Sequence, residues 1–230
     1  MKTLTGKPIV RVYLTHLHPD HIYASAAFDP ALVAATPALT AALAVEGKSF
    51  TEGMYRLLGD WVRRTEFRMP GKVINTPSED FGGRVLTLIP MSGHSSTDLA
   101  VYDAKTGLLI TGDLVFHNRA PSTPHADIPK WRASLDRLKA LDHKAVVPGH
   151  GPFNTTPATA IDQTRDWIDR AEAAITRAVL TGIDPAETGE MPIPARFISM
   201  KAARYEFQRT VTHLYPELEA RLLPRVDQAI

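Results

Sequence analysis

Two regimes of hydrophobic patterning divide the chain. Short runs of β-branched and aromatic residues alternate with helical spacing over roughly the first 150 residues, and three- and four-residue spacing takes over afterwards. Residues 9–14 (Ile-Val-Arg-Val-Tyr-Leu) read as a buried strand. A short helix is expected over 22–28 and a strand over 31–35. Thr36 and Pro37 then supply an N-cap and first-turn proline for a helix to about Val45, ended by Gly47. Residues 49–64 predict a further helix, whose face of Phe50, Met54, Leu57, Leu58, Trp61 and Val62 reads as core packing in preference to a cover over a substrate pocket. Strands are expected over 72–75, 84–90, 99–102 and 108–110, with Gly82-Gly83 as the turn before the second. Asp127 starts a helix with the stripe Trp131, Leu135, Leu138 and Leu141, and 145–147 is a last strand. From residue 157 onward strands vanish. Ile161, Thr164, Trp167, Ile168, Ala171, Ile175 and Val179 share one helical face closed by Gly182, and 200–215 predict a helix stopped by Pro216. The pattern predicts an α/β domain over residues 1–155 and a helical region over 156–230.

Composition narrows the function classes. None of the 230 residues is cysteine, which excludes a disulfide framework and a thiolate nucleophile and leaves histidine and carboxylate as metal ligands. Lys+Arg total 26 and Asp+Glu 25, for a formal net charge of +1 with the signs interleaved, so no basic stripe suits a nucleic acid. The first eight residues lack the apolar core of a signal peptide, and no stretch has the length of a membrane span. As written, the chain is expected to be soluble and unexported, hence cytoplasmic, with a small molecule as its partner and neither nucleic acid nor membrane.

Candidate chemistry begins directly after the first predicted strand. Thr15-His16-Leu17-His18-Pro19-Asp20-His21 packs three imidazoles and a carboxylate into six positions. His16 and His18 share a face of extended backbone, while Pro19 turns Asp20 and His21 toward a neighbouring position, so two metals are implied. A single histidine here would read as a solvated strand end; four ligand-type side chains at this spacing read as a metal site. His94 lies in a small-residue loop, 91–98, between two predicted strands, and Asp113 just beyond the strand 108–110. His150 is held in Pro148-Gly149-His150-Gly151 after the last strand.

This constellation resembles the metallo-β-lactamase-fold superfamily, whose T-H-x-H-x-D-H motif matches residues 15–21 and whose later His, bridging Asp and P-G-H-G match His94, Gly112-Asp113 and 148–151. The resemblance implies an α+β, four-layer αβ/βα sandwich with a C-terminal helical appendage. It implies that His16, His18 and His94 bind one zinc, that Asp20, His21 and His150 bind a second, and that Asp113 bridges them. The chain is also similar to a narrower group, the quinoprotein relay system zinc metallohydrolases, through residues 81–84, 112–116, 119–121, 124–127, 131, 135–138 and 148–152, and through the tail segments 205–209 and 214–218. That likeness implies a periplasmic setting reached from a longer precursor. Tyr23 and Ala24 depart from the family's usual glycines, and Ser95-Ser96-Thr97 from its commoner Thr-Pro-Gly, although Asp98 remains as a loop-fixing group. Only eight residues precede Ile9, where the superfamily places several strands, so the sandwich is expected to lack its N-terminal strands. Such an edge invites pairing, as a homodimer or an aggregate, or continuation in a longer gene product.

Two Zn²⁺ ions set against Asp20, Asp113 and a bridging hydroxide leave about +1, which favours an anionic or carbonyl substrate. The expected activity is therefore a zinc-dependent hydrolase that turns a metal-bound hydroxide on an ester, thioester, lactone or amide, with Asp20 orienting the nucleophile or relaying a proton. His117, Arg119 and His125 follow the bridging Asp and are candidate substrate contacts. Two alternatives differ in class: a mono-iron oxidoreductase like the persulfide dioxygenases, and a non-catalytic metal-binding remnant. His18 argues against the diiron flavoprotein branch, and Asp113 against a β-lactamase.

Overall fold

Alternation along the strands sorts the side chains into layers. The computed structural model describes residues 5–63, 65–156 and 158–223. Arg64 and Pro157, at the ends of predicted segments, and residues 224–230 of the predicted helical region lie outside these. β1 (Val12–Tyr13), β2 (Val33–Ala35) and β3 (Lys72–Val73) form a parallel sheet in that order, with Val12 opposite Val33 and Ala34 opposite Lys72. The second sheet runs β4 (Ser78–Asp80), β5 (Val85–Pro90), β6 (Leu99–Asp103), β7 (Leu108–Phe116), β8 (Ala145–His150), antiparallel until β8 joins β7 in parallel. The helices are α1 (Pro19–Ile22), α2 (Pro37–Leu58), α3 (Ile128–Lys139), α4 (Thr159–Thr181), α5 (Pro185–Glu190), α6 (Ala195–Ile198) and α7 (Ala203–Leu222).

Ala34 points between the two sheets, where it meets Ile74, Leu88, Leu99 and Val101. Val33 and Ala35, one residue to either side, face the other way and pack on Leu39 and Leu43 of α2. Across the second sheet, Ala100 and Leu109 join Trp131, Leu135, Ile161, Ile168, Val211 and Leu214 in one core shared with α3, α4 and α7. Helix, sheet, sheet and helices thus stack as a mixed α/β sandwich, the α/β class that the pattern predicts in the layered form that the family resemblance implies.

The predicted helix ends fail at two residues for one reason, burial. Thr36 caps α2 as expected, its side chain accepting from the Leu39 N–H at 3.1 Å, but the helix runs through Gly47 without a break. A Cβ at Gly47 would stand 2.1 Å from the Phe67 ring, so this glycine admits a neighbour instead of ending the helix, at about 1 kcal/mol against alanine. α7 likewise continues through Pro216. An internal proline costs about 3 kcal/mol. Leu214, Tyr215 and Leu218 around it are buried, each at about 1.5–3 kcal/mol, and the Tyr215 hydroxyl donates to the Ile183 carbonyl at 2.7 Å.

The face over 49–64 departs from expectation in part: Phe50 packs against the Leu39–Leu43 core, but Leu57 is 79% and Trp61 94% exposed, so the later residues of this face do not pack in the core. β7 extends to Phe116 and β8 to His150, which carries Asp113 and His150 inside strands. β4 went unpredicted because Ser78-Glu79-Asp80 has no apolar signal. No helix among the described residues is long and apolar enough to cross a membrane.

A charged clasp ties the two sheets together. Glu79 on β4 accepts from the Tyr13 hydroxyl at 2.5 Å, from Arg11 Nε at 2.8 Å and from Lys72 Nζ at 2.7 Å, all three donors coming from the β1–β3 side. Burial alone pushes the carboxyl upward, but the hydrogen bonds from Lys72, Tyr13 and Arg11 outweigh it and hold the pKa down to about 2. A depressed carboxyl contributes stability that is present above its ordinary value of 4.5 and lost as pH falls toward 2. Glu79→Gln is expected to cost about 1–2 kcal/mol at neutral pH and to flatten the stability profile through that acid window. Urea unfolding of both proteins at pH 7 and pH 3 tests this, and parallel profiles would contradict it.

Candidate metal centre

Strand ends from both sheets deliver the ligand-type side chains to one place. After β1 the backbone carries Thr15 to His21 out of the sheet, and the Leu99 N–H at the start of β6 donates to the Thr15 carbonyl at 2.8 Å, which pins this loop. His94 arrives on the β5–β6 loop. Asp98 accepts from the Ser95 N–H at 3.0 Å and the Ser95 hydroxyl at 2.7 Å, so it shapes that loop and joins neither group of metal-ligand donors. Asp113 sits where β7 is irregular: Gly112 adopts φ +52° and the register with β8 shifts there. On the facing strand, a Cβ at Gly149 would stand 1.9 Å from Asp113 Oδ1, so only glycine leaves room for this carboxylate. His150 ends β8 with its ring stacked on Phe116, centroids 5.4 Å apart.

The donors fall into two groups, His16, His18, His94 and Asp113 in one and Asp20, His21 and His150 in the other, each with its ligand atoms within 4.8 Å of one another. In the first, His18 Nδ1 lies 3.0 Å from His16 Nε2 and 2.8 Å from His94 Nε2. Asp113 Oδ2 lies 3.4 Å from His94 Nε2 and 3.7 Å from His16 Nε2. In the second, His150 Nε2 is 3.1 Å from Asp20 Oδ2 and 3.3 Å from His21 Nε2. Asp113 touches this group too, through His21 at 3.2 Å and His150 at 3.4 Å.

The donor chemistry fits divalent cations. Donors around a tetrahedral ion with bonds of about 2.0–2.1 Å lie about 3.3 Å apart, close to the spacings here. Burial lowers the imidazoles of His16, His18 and His94 to about 2, 4 and 3, which keeps them neutral, the form that ligates a metal. Thr15 Oγ1 stands 3.1 Å from His16 Nδ1, and His125 Nδ1 stands 2.8 Å from His18 Nε2. Such outer partners favour protons on the outer nitrogens and leave the converging ones with lone pairs. Asp113 Oδ1 is buried without a well-aligned hydrogen-bond donor among the described residues. In the second group burial opposes charge on His21, but the Asp113 and Asp20 carboxylates outweigh it and raise the ring to about 10. Hydrogen bonds to the same two carboxylates raise His150 to about 9. Protons there hold the place of positive charge. Burial pushes the Asp113 carboxyl up, yet His150, His21 and the other imidazoles hold it well below the ordinary value.

A cavity of about 300 Å³ opens onto this cluster. Arg119 and His125 line it; His117 does not, because its Nδ1–H donates to the Pro152 carbonyl at 2.9 Å and braces the turn after His150. Phe50 and Met54 of α2 also line it, so the cover over the pocket that pattern alone ranked second is realised by these two. Glu206 and Arg209 of α7 line it as well; the sequence placed them in the tail segment of the narrower resemblance but gave them no role at the site. The available signal was a glutamate on the buried stripe of a helix, beside Ala203, Phe207 and Thr210.

Fold and site together define a metal-binding sandwich of a known kind. Residues 2–150 match the model of the metallo-beta-lactamase superfamily, and the chain belongs to that superfamily. A probable metallo-hydrolase of Bacillus subtilis, YqjP, is 30% identical over 91 residues, which make up 35% of this chain and 28% of that relative, so the match spans little more than a quarter of its length. Among solved structures, a beta-lactamase domain protein from Burkholderia ambifaria has a TM-score of 0.63, 20% identity, and covers 93% of this chain and 70% of its own. A metallo-beta-lactamase family protein from Thermus thermophilus gives 0.62 at 21% identity over 94% and 76%. A metallo-beta-lactamase from Pontibacter korlensis gives 0.56 at 22% identity over 73% of each chain. At these identities the likeness carries the fold alone. The narrower quinoprotein relay resemblance is not reached by these matches.

Gly149→Ala places a methyl group 1.9 Å from Asp113 Oδ1 and 2.7–2.8 Å from the Gly112 and Asp113 backbone, so the carboxylate and the β7 backbone that carries it must shift away from both donor groups. Metal affinity is expected to fall about 10- to 100-fold, with the far-UV spectrum retained. Competition against a colorimetric chelator measures it; wild-type affinity in the variant would show that Asp113 is not a ligand.

Proposed function

We propose that the chain is a zinc-dependent hydrolase with a binuclear centre, in which His16, His18 and His94 hold one ion, Asp20, His21 and His150 the other, and Asp113 bridges them. The single observation that carries this reading is the position of Asp113, whose two oxygens lie 3.2–3.7 Å from histidines of both groups. All donors are nitrogen or oxygen, which borderline Zn²⁺ accepts, and each group alone offers three terminal protein ligands. When bound, the ions supply Lewis acidity and activation of water toward an ester, thioester, lactone or amide carbonyl. The protein's own groups do the rest. Asp20, 56% exposed at its side chain and facing the cavity, orients the attacking water and moves its proton. His125 backs His18, and the apolar Phe116, Phe50 and Met54 limit water at the reacting carbonyl. A filled second donor group favours this over a mono-iron oxidoreductase, which needs only one. Within the superfamily we read the chain as a member of the quinoprotein relay metallohydrolases, on its motifs over 81–152 and 205–218.

Elemental analysis of the purified chain should find about two zinc ions per chain, and a panel of thioesters, lactones and simple esters should be turned over in a metal-dependent way. Asp113→Asn should lower metal affinity and turnover together by at least about 10-fold, and Asp98→Asn by less. Near-stoichiometric iron with consumption of O₂ would replace the hydrolase reading with the oxidoreductase one.

A further inference from the structure

The wall of the metal cavity that carries no ligand is built around a buried glutamate. Glu206 is 1% exposed on the inward stripe of α7, and a carboxylate in that position needs compensating charge. Two guanidiniums provide it: Arg119 Nη1 lies 3.3 Å from Oε1, and Arg209 Nη1 lies 3.3 Å from Oε2. One arginine would neutralise one carboxylate; the second leaves the triad at a formal +1, and no further carboxylate among the described residues pairs with either arginine. The donors are also underused. A guanidinium presents five N–H groups. Arg119 hydrogen-bonds Glu206 and the Ala120 carbonyl through Nη1 alone, and Arg209, whose guanidinium lies over the Tyr205 ring at 5.4 Å, hydrogen-bonds Glu206 and Ser122 Oγ through Nη1 alone. Nε and Nη2 of both have no acceptor among the described residues. Both arginines, Ser122 and Glu206 line the cavity that also exposes Asp20 and Asp113.

We propose that Arg119 and Arg209 form a carboxylate-binding subsite, held in place by Glu206, and that the acyl substrate of this chain is the monoester or monothioester of a short dicarboxylic acid. The proposal rests on the hydrolase reading, because it is the metal cluster that defines where the scissile carbonyl sits. A free fork of two parallel N–H groups matches the planar geometry of a carboxylate, and a net +1 matches a monoanion. Phe50 and Met54, which line the same cavity, suit the methylene chain between the two ends of such an acid. A cavity of about 300 Å³ is at the small end for ligand sites and holds an acyl group of about six carbons but no nucleotide-sized carrier.

The test compares mono-4-nitrophenyl adipate with 4-nitrophenyl hexanoate, acyl groups of equal length that differ in the terminal carboxylate, and measures adipate binding to the chelator-treated chain by calorimetry. Wild type should prefer the adipate ester by about 10- to 100-fold in kcat/KM, mostly through KM, and should bind adipate without metal more tightly than inorganic phosphate. Arg119→Met and Arg209→Met should each lower that preference and the adipate affinity at least 10-fold. Should Arg209→Met leave Glu206 undercompensated and fail to fold, Arg209→Lys keeps the charge and loses the fork, and its preference should still drop several-fold. Turnover of both esters at equal kcat/KM would overturn the carboxylate subsite and leave the hydrolase standing. Arginine-dependent adipate binding in a zinc-loaded chain that hydrolyses neither ester would do the reverse. Phosphate binding tighter than adipate would reassign the subsite and overturn the proposal.

Discussion

A buried carboxylate facing four imidazoles is the constraint on which the rest of this structure depends. Asp113 is 4% exposed and lies within 3.7 Å of His16, His21, His94 and His150. A lone charge at that depth is untenable, so its neighbours must supply positive charge as protons or as metal ions. The surrounding elements are shaped to that demand. β7 breaks its register at Gly112 to present the side chain, β8 yields space at Gly149, and Trp131 seals the site from below, its indole N–H donating to the Leu114 carbonyl at 2.9 Å.

The donor cluster and the remaining cavity walls come from different parts of the fold. The candidate ligands stand on strands and strand-end loops from two sheets that the Glu79 clasp holds in fixed relation, which gives the precision a metal centre needs. The other cavity walls come from α2, the loop after β7 and α7. These carry side chains of mixed character: apolar Phe50 and Met54, polar Ser122 and His125, and the ionic Arg119, Glu206 and Arg209. Variation in those elements can alter what the cavity accepts without disturbing the metal cluster, so membership of the superfamily leaves the substrate open.

The exposed end of α2 belongs to the same division. Tyr55, Leu57 and Leu58, with Trp61 in the 3-10 turn that follows the helix, stand in solvent while Phe50 and Met54 earlier in the helix face the cavity. An apolar helix face left in solvent is unusual in a hydrophobic pattern, and here only its first part is used, Phe50 on the core and both Phe50 and Met54 on the pocket.

What could be read from the sequence was what depends on residue type and local spacing. The T-H-x-H-x-D-H run, His94, Asp113 and the P-G-H-G turn are recognisable because a metal centre requires those donors at strand ends, whatever surrounds them. The α/β class was legible from spacing and the sandwich only through the family resemblance; the structure realises it with Val33, Ala34 and Ala35 facing alternate sides of one strand. Contacts between distant segments decided the rest. Gly47 and Pro216 look like helix ends by propensity, but Phe67 packed on one and the core burial of Leu214 and Leu218 around the other override it. Asp113 moved from a loop into a bulged strand because β8 pairs alongside it. The ion pair of Arg119 with Glu206 joins residues 87 positions apart, and no periodicity encodes such a distance. Only the packing of α7 against the loop after β7 brings those charges to the mouth of the metal site.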